Sequence, residues 1–404
     1  MSFKNNTKTN EETKDEIKDE IKDEIYDELY TWDDLNVNQD LLRGIYAYGF
    51  ETPSSIQKKA IIPILKGKDI IAQAQSGTGK TGCFVIGTLA KIDTRINKVQ
   101  AIILAPTHEL SYQIKNVMEK IGNLLCNIKI ELLIGGQSID NNINTLYNNT
   151  PHIIVGCPGR VYDMIYRKHL LTSSIKLVVI DEADEMLSSG FKEQVYNIFH
   201  YLPQNVQIAL FSATMPHELY NLTDKFMRNP IKILVKTAML TLEGINQYYI
   251  NIQDDTVKYE TLKDLFSTFS VSQCIIYCNS IKRVSDLYDA MTNDEYPVCQ
   301  IHSNMFKDER HKNYMDFTQG VYRVLISSNV TARGIDIQQV ETVINFDIPT
   351  NIHTYLHRIG RSGRWGRKGV GINFVTRRDY KLMKEIESYY NTEIKELPSD
   401  YKRL

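Results

Sequence analysis

From Trp32 onward, short and uniformly apolar runs such as Ala101 to Ala105 (AIILA) and Leu177 to Ile180 (LVVI) alternate with longer segments whose apolar positions recur every three or four residues. Runs without a polar face read as strands buried on both sides. Their alternation with amphipathic helices predicts an α/β fold built on parallel sheets. Strands are expected at 69–72, 101–105, 128–134, 152–156, 177–180 and 207–211, then in a second series at 274–278, 298–301, 323–327, 342–346 and 371–375. The polar stretch between the two series, with its lone Gly244, marks a boundary. The expected organisation is an acidic tail over 1–30, one domain over 31–236, a linker over 237–245 and a second domain over 246–404. Two such domains in tandem leave a cleft between them, and ligands of parallel α/β sheets sit in crevices of this kind.

Composition narrows the class without naming a chemistry. A chain of 404 residues that is 42% hydrophobic and 24% charged can bury more than one core, which excludes a disordered or fibrous protein. No apolar run approaches the roughly 18 residues of a bilayer span, and the first thirty residues lack the apolar centre of a secretory signal. A cytoplasmic location is therefore expected, with the nucleus left open. Six cysteines are scattered, and the closest pair, Cys274 and Cys278, lacks the spacing of a zinc site, so buried free thiols are expected. The formal charge of -2 argues against a polycationic nucleic-acid binder, yet it averages two unlike parts. Residues 1–30 carry five lysines against ten acidic residues, and the remainder is slightly basic. Within that tail KDEI repeats with period four. A helix of that period would spiral its apolar column by about 40° per repeat, so a solvated tail is expected.

Two motifs carry chemistry. The first is Ala74-Gln75-Ser76-Gly77-Thr78-Gly79-Lys80-Thr81, a phosphate loop set between an expected strand and an expected helix, with Ala74 in place of the usual first glycine. Its glycines let backbone N–H groups turn inward on a polyphosphate, Lys80 reaches the outer phosphates, and the Thr81 hydroxyl suits Mg2+. The second is Asp181-Glu182-Ala183-Asp184 at the end of a buried strand. Asp181 suits a Mg2+ ligand, partly through water, and Glu182 suits the base that orients and deprotonates an attacking water. Together they predict a Mg2+-dependent site that hydrolyses a nucleotide polyphosphate.

With these two motifs in order, the chain from Trp32 onward resembles the DEAD-box ATP-dependent RNA helicases. The resemblance implies two tandem RecA-like domains with an ATP and RNA cleft between them. It implies that Trp32, Phe50 and Gln57 meet the adenine; on residue type alone, Trp32 and Phe50 read as core packing. Around the phosphates it implies Ser76, Gly77, Thr78, Gly79, Lys80 and Thr81, with Gly334 and Asp336 at the ribose. Asp184, Ser212, Thr214 and His357 would couple nucleotide state to RNA. Arg361 and Arg364 would be arginine fingers, their fixed charge and planar fork matching phosphate oxygens; alone they read equally as a basic surface loop. The implied RNA face comprises Pro106, Thr107, His108, Gly135, Gly136, Pro158, Gly159 and Arg160 in the first domain. Asn279, Ser280, Arg310 and Ser328 supply the second domain's share. Contacts to phosphates and 2′-hydroxyls predict a preference for RNA over DNA with little sequence preference.

Several positions depart from the family pattern: His108 for Arg, Cys157 for Thr, Ile281 for Arg or Lys, Lys307 for Gln and Asn329 for Asp. A neutral imidazole and a thiol grip phosphate less well, so a softer first-domain hold is expected, with Lys307 a candidate compensation. Residues 41–50 and 240–245 look most like the translation initiation factor 4A subfamily and its exon-junction relative. That resemblance implies a monomer stimulated by a scaffold-type protein, acting on single-stranded or short duplex RNA. Two roles remain open at this level, local non-processive unwinding or an ATP-gated clamp that recruits proteins.

Overall fold

The computed structural model describes residues 28–74, 77–188, 190–215, 217–234, 245–268, 273–329, 340–360, 362 and 369–398. The acidic tail up to residue 27, most of the expected linker, Gln75, Ser76, Gly334, Asp336, Arg361 and Arg364 lie outside the described residues.

The first sheet has seven strands: β1 (Ile70–Gln73), β2 (Ala101–Leu104), β3 (Ile130–Leu133), β4 (Ile153–Gly156), β5 (Leu177–Ile180), β6 (Gln207–Ser212) and β7 (Ile231–Leu234), in the order β3-β4-β2-β5-β6-β1-β7. The second also has seven: β8 (Ile245–Ile252), β9 (Cys274–Tyr277), β10 (Val298–Ile301), β11 (Val324–Ser327), β12 (Thr342–Asn345), β13 (Gly369–Thr376) and β14 (Lys395–Glu396), in the order β10-β11-β9-β12-β13-β8-β14. Every pairing is parallel. Strands β2, β4, β5, β9 and β11 are buried along their whole length, because helices cover both faces of each sheet. Alternate side chains therefore feed two apolar layers. In the first domain Ile103 and Val179 belong to one layer, and Ile102 and Val178 to the other.

The expected α/β class holds, and each expected strand is present within a few residues. Three strands escaped the pattern: β7, β8 and β14, all at one margin of their sheets. β8 reads INQYYINI, polar and apolar by turns, and only its ladder to β13 and β14 makes it a strand. All six cysteines are free, and Cys126 is exposed, against the expectation that all are buried.

Parallel sheets gather the loops that follow their strands along one edge. In the first sheet the segments after β1, β2, β3, β4, β5 and β6 hold the phosphate loop, Pro106 to Leu110, Gly135-Gly136, Pro158 to Arg160, Asp181 to Asp184 and Ala213-Thr214. The ends of β3 and β4 touch closely there. A Cβ on Gly156 would lie 2.2 Å from the Leu133 carbonyl oxygen and 3.0 Å from Val161 Cγ2. Gly156→Ala should therefore push β4 away from β3 and lower stability by about 2 kcal/mol. A urea titration should show an earlier first-domain transition; an unchanged midpoint would contradict this close approach.

Candidate nucleotide site and interdomain cleft

The phosphate loop is built by backbone geometry that only glycine adopts freely. Gly77 and Gly79 have φ of 82° and 98°, and Gly79 caps the helix Lys80–Lys91. A Cβ at Gly79 would meet Gln57 Nε2 and Ser54 Oγ, each at 2.8 Å, and one at Gly82 would meet the Phe50 ring at 2.8 Å. Gln57 closes the contact from the other side: its Oε1 accepts from Ser54 N–H at 2.8 Å and its Nε2 donates to the Gly79 carbonyl at 3.1 Å. Trp32 is wholly buried and stacks behind Phe50 with centroids 6.1 Å apart. The expected adenine-side residues are thus tied directly to the phosphate loop.

Lys80 is buried at 6% exposure, and among the described residues its Nζ has no hydrogen-bond acceptor. The nearest carboxylate oxygen, Glu182 Oε1, stands 3.7 Å away. A buried ammonium without an acceptor is costly, and a helix N-terminus beside it adds partial positive charge. Both are satisfied by an oxygen-rich anion, so the residues present fit a polyphosphate.

The carboxylates after β5 are crowded. Asp181 is pushed up to about 7, first by burial and then by the charge of Glu182, with Lys80 opposing. Glu182, 2% exposed, takes a left-handed backbone with φ of 48°, a strained setting for a non-glycine residue. Asp184 is fixed by the segment after β6. Its Oδ2 accepts from Thr214 Oγ1 at 2.7 Å, its N–H donates to Ser212 Oγ at 3.3 Å, and Ser212 Oγ donates to the Thr214 carbonyl at 2.7 Å.

Contacts across the cleft complete the site. His357 Nε2, on the helix Ile352–Ile359 of the second domain, lies 3.3 Å from Asp184 Oδ2. Arg310 Nη2 donates to Glu109 Oε2 at 2.5 Å, and the rings of Tyr112 and His311 stand 4.8 Å apart. Four residues of the expected RNA face are already engaged locally. Thr107 Oγ1 caps the helix His108–Ile121 by accepting from Leu110 N–H, and Ser280 Oγ caps the helix Ile281–Asn293 by accepting from Arg283 N–H. Arg160 donates to Asn142 Oδ1 and to the Gln137 carbonyl, and Asn279 Nδ2 donates to the Ile348 carbonyl at 2.7 Å. Cys157 Sγ lies 3.7 Å from Ser111 Oγ, inside the fold.

This order of motifs on two facing sheets can be set beside known proteins. Residues 54–222 match the family profile "DEAD/DEAH box helicase", and residues 257–366 match "Helicase conserved C-terminal domain". The chain belongs to the DEAD-box helicase family. It is an ATP-dependent RNA helicase. It is 52% identical to a Caenorhabditis elegans protein named Eukaryotic initiation factor 4A, across 91% of each chain. A Pyricularia oryzae protein named ATP-dependent RNA helicase eIF4A is 51% identical, covering 91% of this chain and 92% of its own. Among solved structures, Saccharomyces cerevisiae Dbp5 bound to RNA and ADP BeF3 superposes with a TM-score of 0.86 at 34% identity, over 92% of this helicase and 96% of that chain. That fit spans both domains at once, and in this helicase the two domains touch through Asp184–His357 and Glu109–Arg310.

Two features of the cleft were not legible in the sequence. Glu109, read only as part of a motif string, is the partner of Arg310 from 201 residues away. Asp347, at the end of β12, gathers Lys258 and Arg283; a carboxylate just past a buried strand was the available signal.

The raised pKa of Asp181 makes a stability prediction. In the folded chain it keeps its proton at pH values where the unfolded chain, near 3.8, has lost it. The folded state is therefore penalised progressively as pH rises from about 4 to about 7, and by a constant amount above. Asp181→Asn should raise the melting temperature of the nucleotide-free protein in a metal chelator, with a larger gain at pH 8 than at pH 5. Equal gains at both pH values would be inconsistent with it. The buried Glu109–Arg310 pair predicts that Glu109→Ala and Arg310→Ala each open the cleft, read as lower interdomain energy transfer between attached dyes. The double variant should be no more open than either single one.

Proposed function

We propose that this helicase hydrolyses ATP in the cleft between domains spanning 31–236 and 246–404, and that closure of the cleft separates short RNA duplexes locally, without processive travel. The observation that carries the reading is the Asp184–His357 contact, which joins the carboxylate cluster of one domain to the other only when the cleft is shut.

In this reading Phe50 and Gln57 hold the adenine with Trp32 behind them. Backbone N–H groups from Ser76 to Thr81 and the Lys80 ammonium bind the phosphates. Glu182 takes the proton of the attacking water, and Arg361 and Arg364 approach from the second domain as arginine fingers, with Gly334 and Asp336 at the ribose. Thr81 and Asp181 would hold Mg2+, partly through water, and the ion would neutralise phosphate charge during transfer. The pH range in which Asp181 sheds its proton, around 7, suits a group that binds a cation once ATP arrives.

Asp184, Ser212 and Thr214 pass the state of the nucleotide to the RNA face, where Pro106 to His108, Gly135, Gly136, Pro158 to Arg160, Asn279, Ser280, Arg310 and Ser328 meet the backbone of one strand. A strand held bent across two domains cannot stay paired in a straight duplex, so closure itself drives separation. Likeness to initiation factor 4A proteins supports a cytoplasmic role in translation initiation. Among the described residues no helix is long and apolar enough to cross a membrane. A monomer stimulated by a scaffold-type protein fits a site that is complete only when two domains meet.

ATP turnover should rise at least tenfold with single-stranded RNA and not with DNA of the same sequence. Lys80→Ala should abolish it. Glu182→Gln should keep ATP-dependent RNA binding while blocking multiple turnover, and sustained hydrolysis in Glu182→Gln would remove Glu182 from its role as base.

A further inference from the structure

Beneath the second domain's part of the proposed RNA face lies a charged cluster that runs from the half-exposed Asp255 to the buried Lys258, Asp347 and Arg358. Arg283 makes a two-pronged contact with Asp347, Nε and Nη2 each donating at 2.7 Å, and Lys258 Nζ donates to the same carboxylate at 3.0 Å. Asp255 lies 2.9 Å from Lys258 and 3.5 Å from Arg283. Behind them sits Arg358, at 0% exposure. Among the described residues its guanidinium donates to no carboxylate.

Neutral groups hold it instead. Asn329 Oδ1 accepts from Nε at 2.9 Å and from Nη2 at 2.6 Å, Asn279 Oδ1 from Nη2 at 2.8 Å, Asn345 Oδ1 from Nη1 at 3.1 Å and the Asp347 carbonyl from Nη1 at 2.7 Å. The Tyr277 ring lies 5.2 Å away. Burial lowers the Arg358 pKa to about 10, which still leaves it charged at neutral pH. Among the described residues, the buried part of the cluster thus sets Lys258 and Arg358 against the single carboxylate of Asp347, while Asp255 and Arg283 lie nearer the solvent. Amide oxygens satisfy the guanidinium's donors without cancelling its charge, and in a poorly polarisable interior that charge reaches further than it would in water.

Asn329 is exposed, next to Ser328, at a position where the family usually has Asp. Arg358 holds its amide by the oxygen, so the NH2 end, a donor, is left uncommitted to Arg358. An Asp there would close an ion pair with Arg358 and offer RNA an anion.

We propose that Asn329 sets RNA affinity in this helicase: by leaving Arg358 without a carboxylate partner, it makes an RNA phosphate the anion that completes the buried cluster. The proposal rests on the reading of Asn279 and Ser328 as RNA-facing. Arg358 is a positioning residue here, acting through the field it creates and the amides it orients.

The test compares full-length wild type, Asn329→Asp and Asn329→Ser. A labelled single-stranded RNA and a non-hydrolysable ATP analogue are used across a salt series. Asn329→Asp should bind about tenfold more weakly at low salt, and log affinity against log salt should flatten by about 0.7, the loss of one phosphate contact. The RNA concentration for half-maximal ATPase should rise by the same factor while kcat at saturating RNA stays within about twofold. Its second domain should melt higher, since a buried cation gains a carboxylate. Asn329→Ser, which stays neutral, should keep the wild-type salt slope. An unchanged slope in Asn329→Asp, or a parallel loss of affinity and stability, or the same flattening in Asn329→Ser, overturns the proposal. A wild type that binds no RNA overturns the RNA-face reading itself, and this inference with it.

Discussion

Asp184 is gripped from both sides of the cleft, and the arrangement of the site follows from that. Thr214 and Ser212 hold it within the first domain, and His357 reaches it from the second. Parallel sheets make this possible, because each brings all its strand-end loops to one edge and the two edges face each other. The nucleotide groups of the first domain are held in an unfavourable state meanwhile. Among the described residues Lys80 has no hydrogen-bond acceptor, Asp181 is pressed toward its neutral form, and Glu182 sits in a strained backbone. In the proposed reading a polyphosphate and a cation would relieve the first two at once. The free energy of binding them is then partly the removal of strain already built into the fold, and closing the cleft secures it.

How a chain of net charge -2 could hold RNA is answered by where its helices start. Helices begin at His108, Pro158, Ile281 and Lys307, each within or beside the proposed RNA face. Their N-terminal N–H groups and dipoles supply positive potential without lysines or arginines. Thr107 and Ser280 cap those helices by accepting a backbone N–H, which fixes the direction of the N–H groups and leaves each hydroxyl proton to donate. This also bears on His108 and Cys157, the departures that weaken side-chain contacts in the first domain. The backbone part of the grip does not depend on them.

The fold class, the strand series and both nucleotide motifs could be read from the chain because each is a local string: an apolar run, a glycine loop, a carboxylate group after a strand. Two of the missing strands do not carry the signal: three of the eight residues of β8 are amides, and β14 is two residues long. The cleft was illegible for a different reason. Glu109 with Arg310, and Arg358 with Asn279, Asn329 and Asn345, are pairings between distant segments, and nothing in residue type distinguishes them from any other acid, cation or amide. Arg310 was expected to face RNA. Its shortest contact is with the other domain, which gives it a place in closure besides any phosphate contact.

The helix Ile352–Ile359 connects these layers physically. Within its eight residues it carries His357, which meets Asp184 across the cleft, and Arg358, which is locked to the ends of β9, β11 and β12 through Asn279, Asn329 and Asn345. Adjacent residues on a helix point about 100° apart, so one faces the nucleotide domain while the next is buried in its own. A short helix pinned at Arg358 cannot turn His357 without disturbing the amides beneath the proposed RNA face, and the reverse holds as well. An anion arriving near Asn329, as proposed, would act on the pinned residue, whose neighbour touches Asp184. In the proposed reading, coupling between RNA and ATP then needs no long relay, because the residue that touches Asp184 and the residue that holds Asn279 and Asn329 are adjacent in the chain.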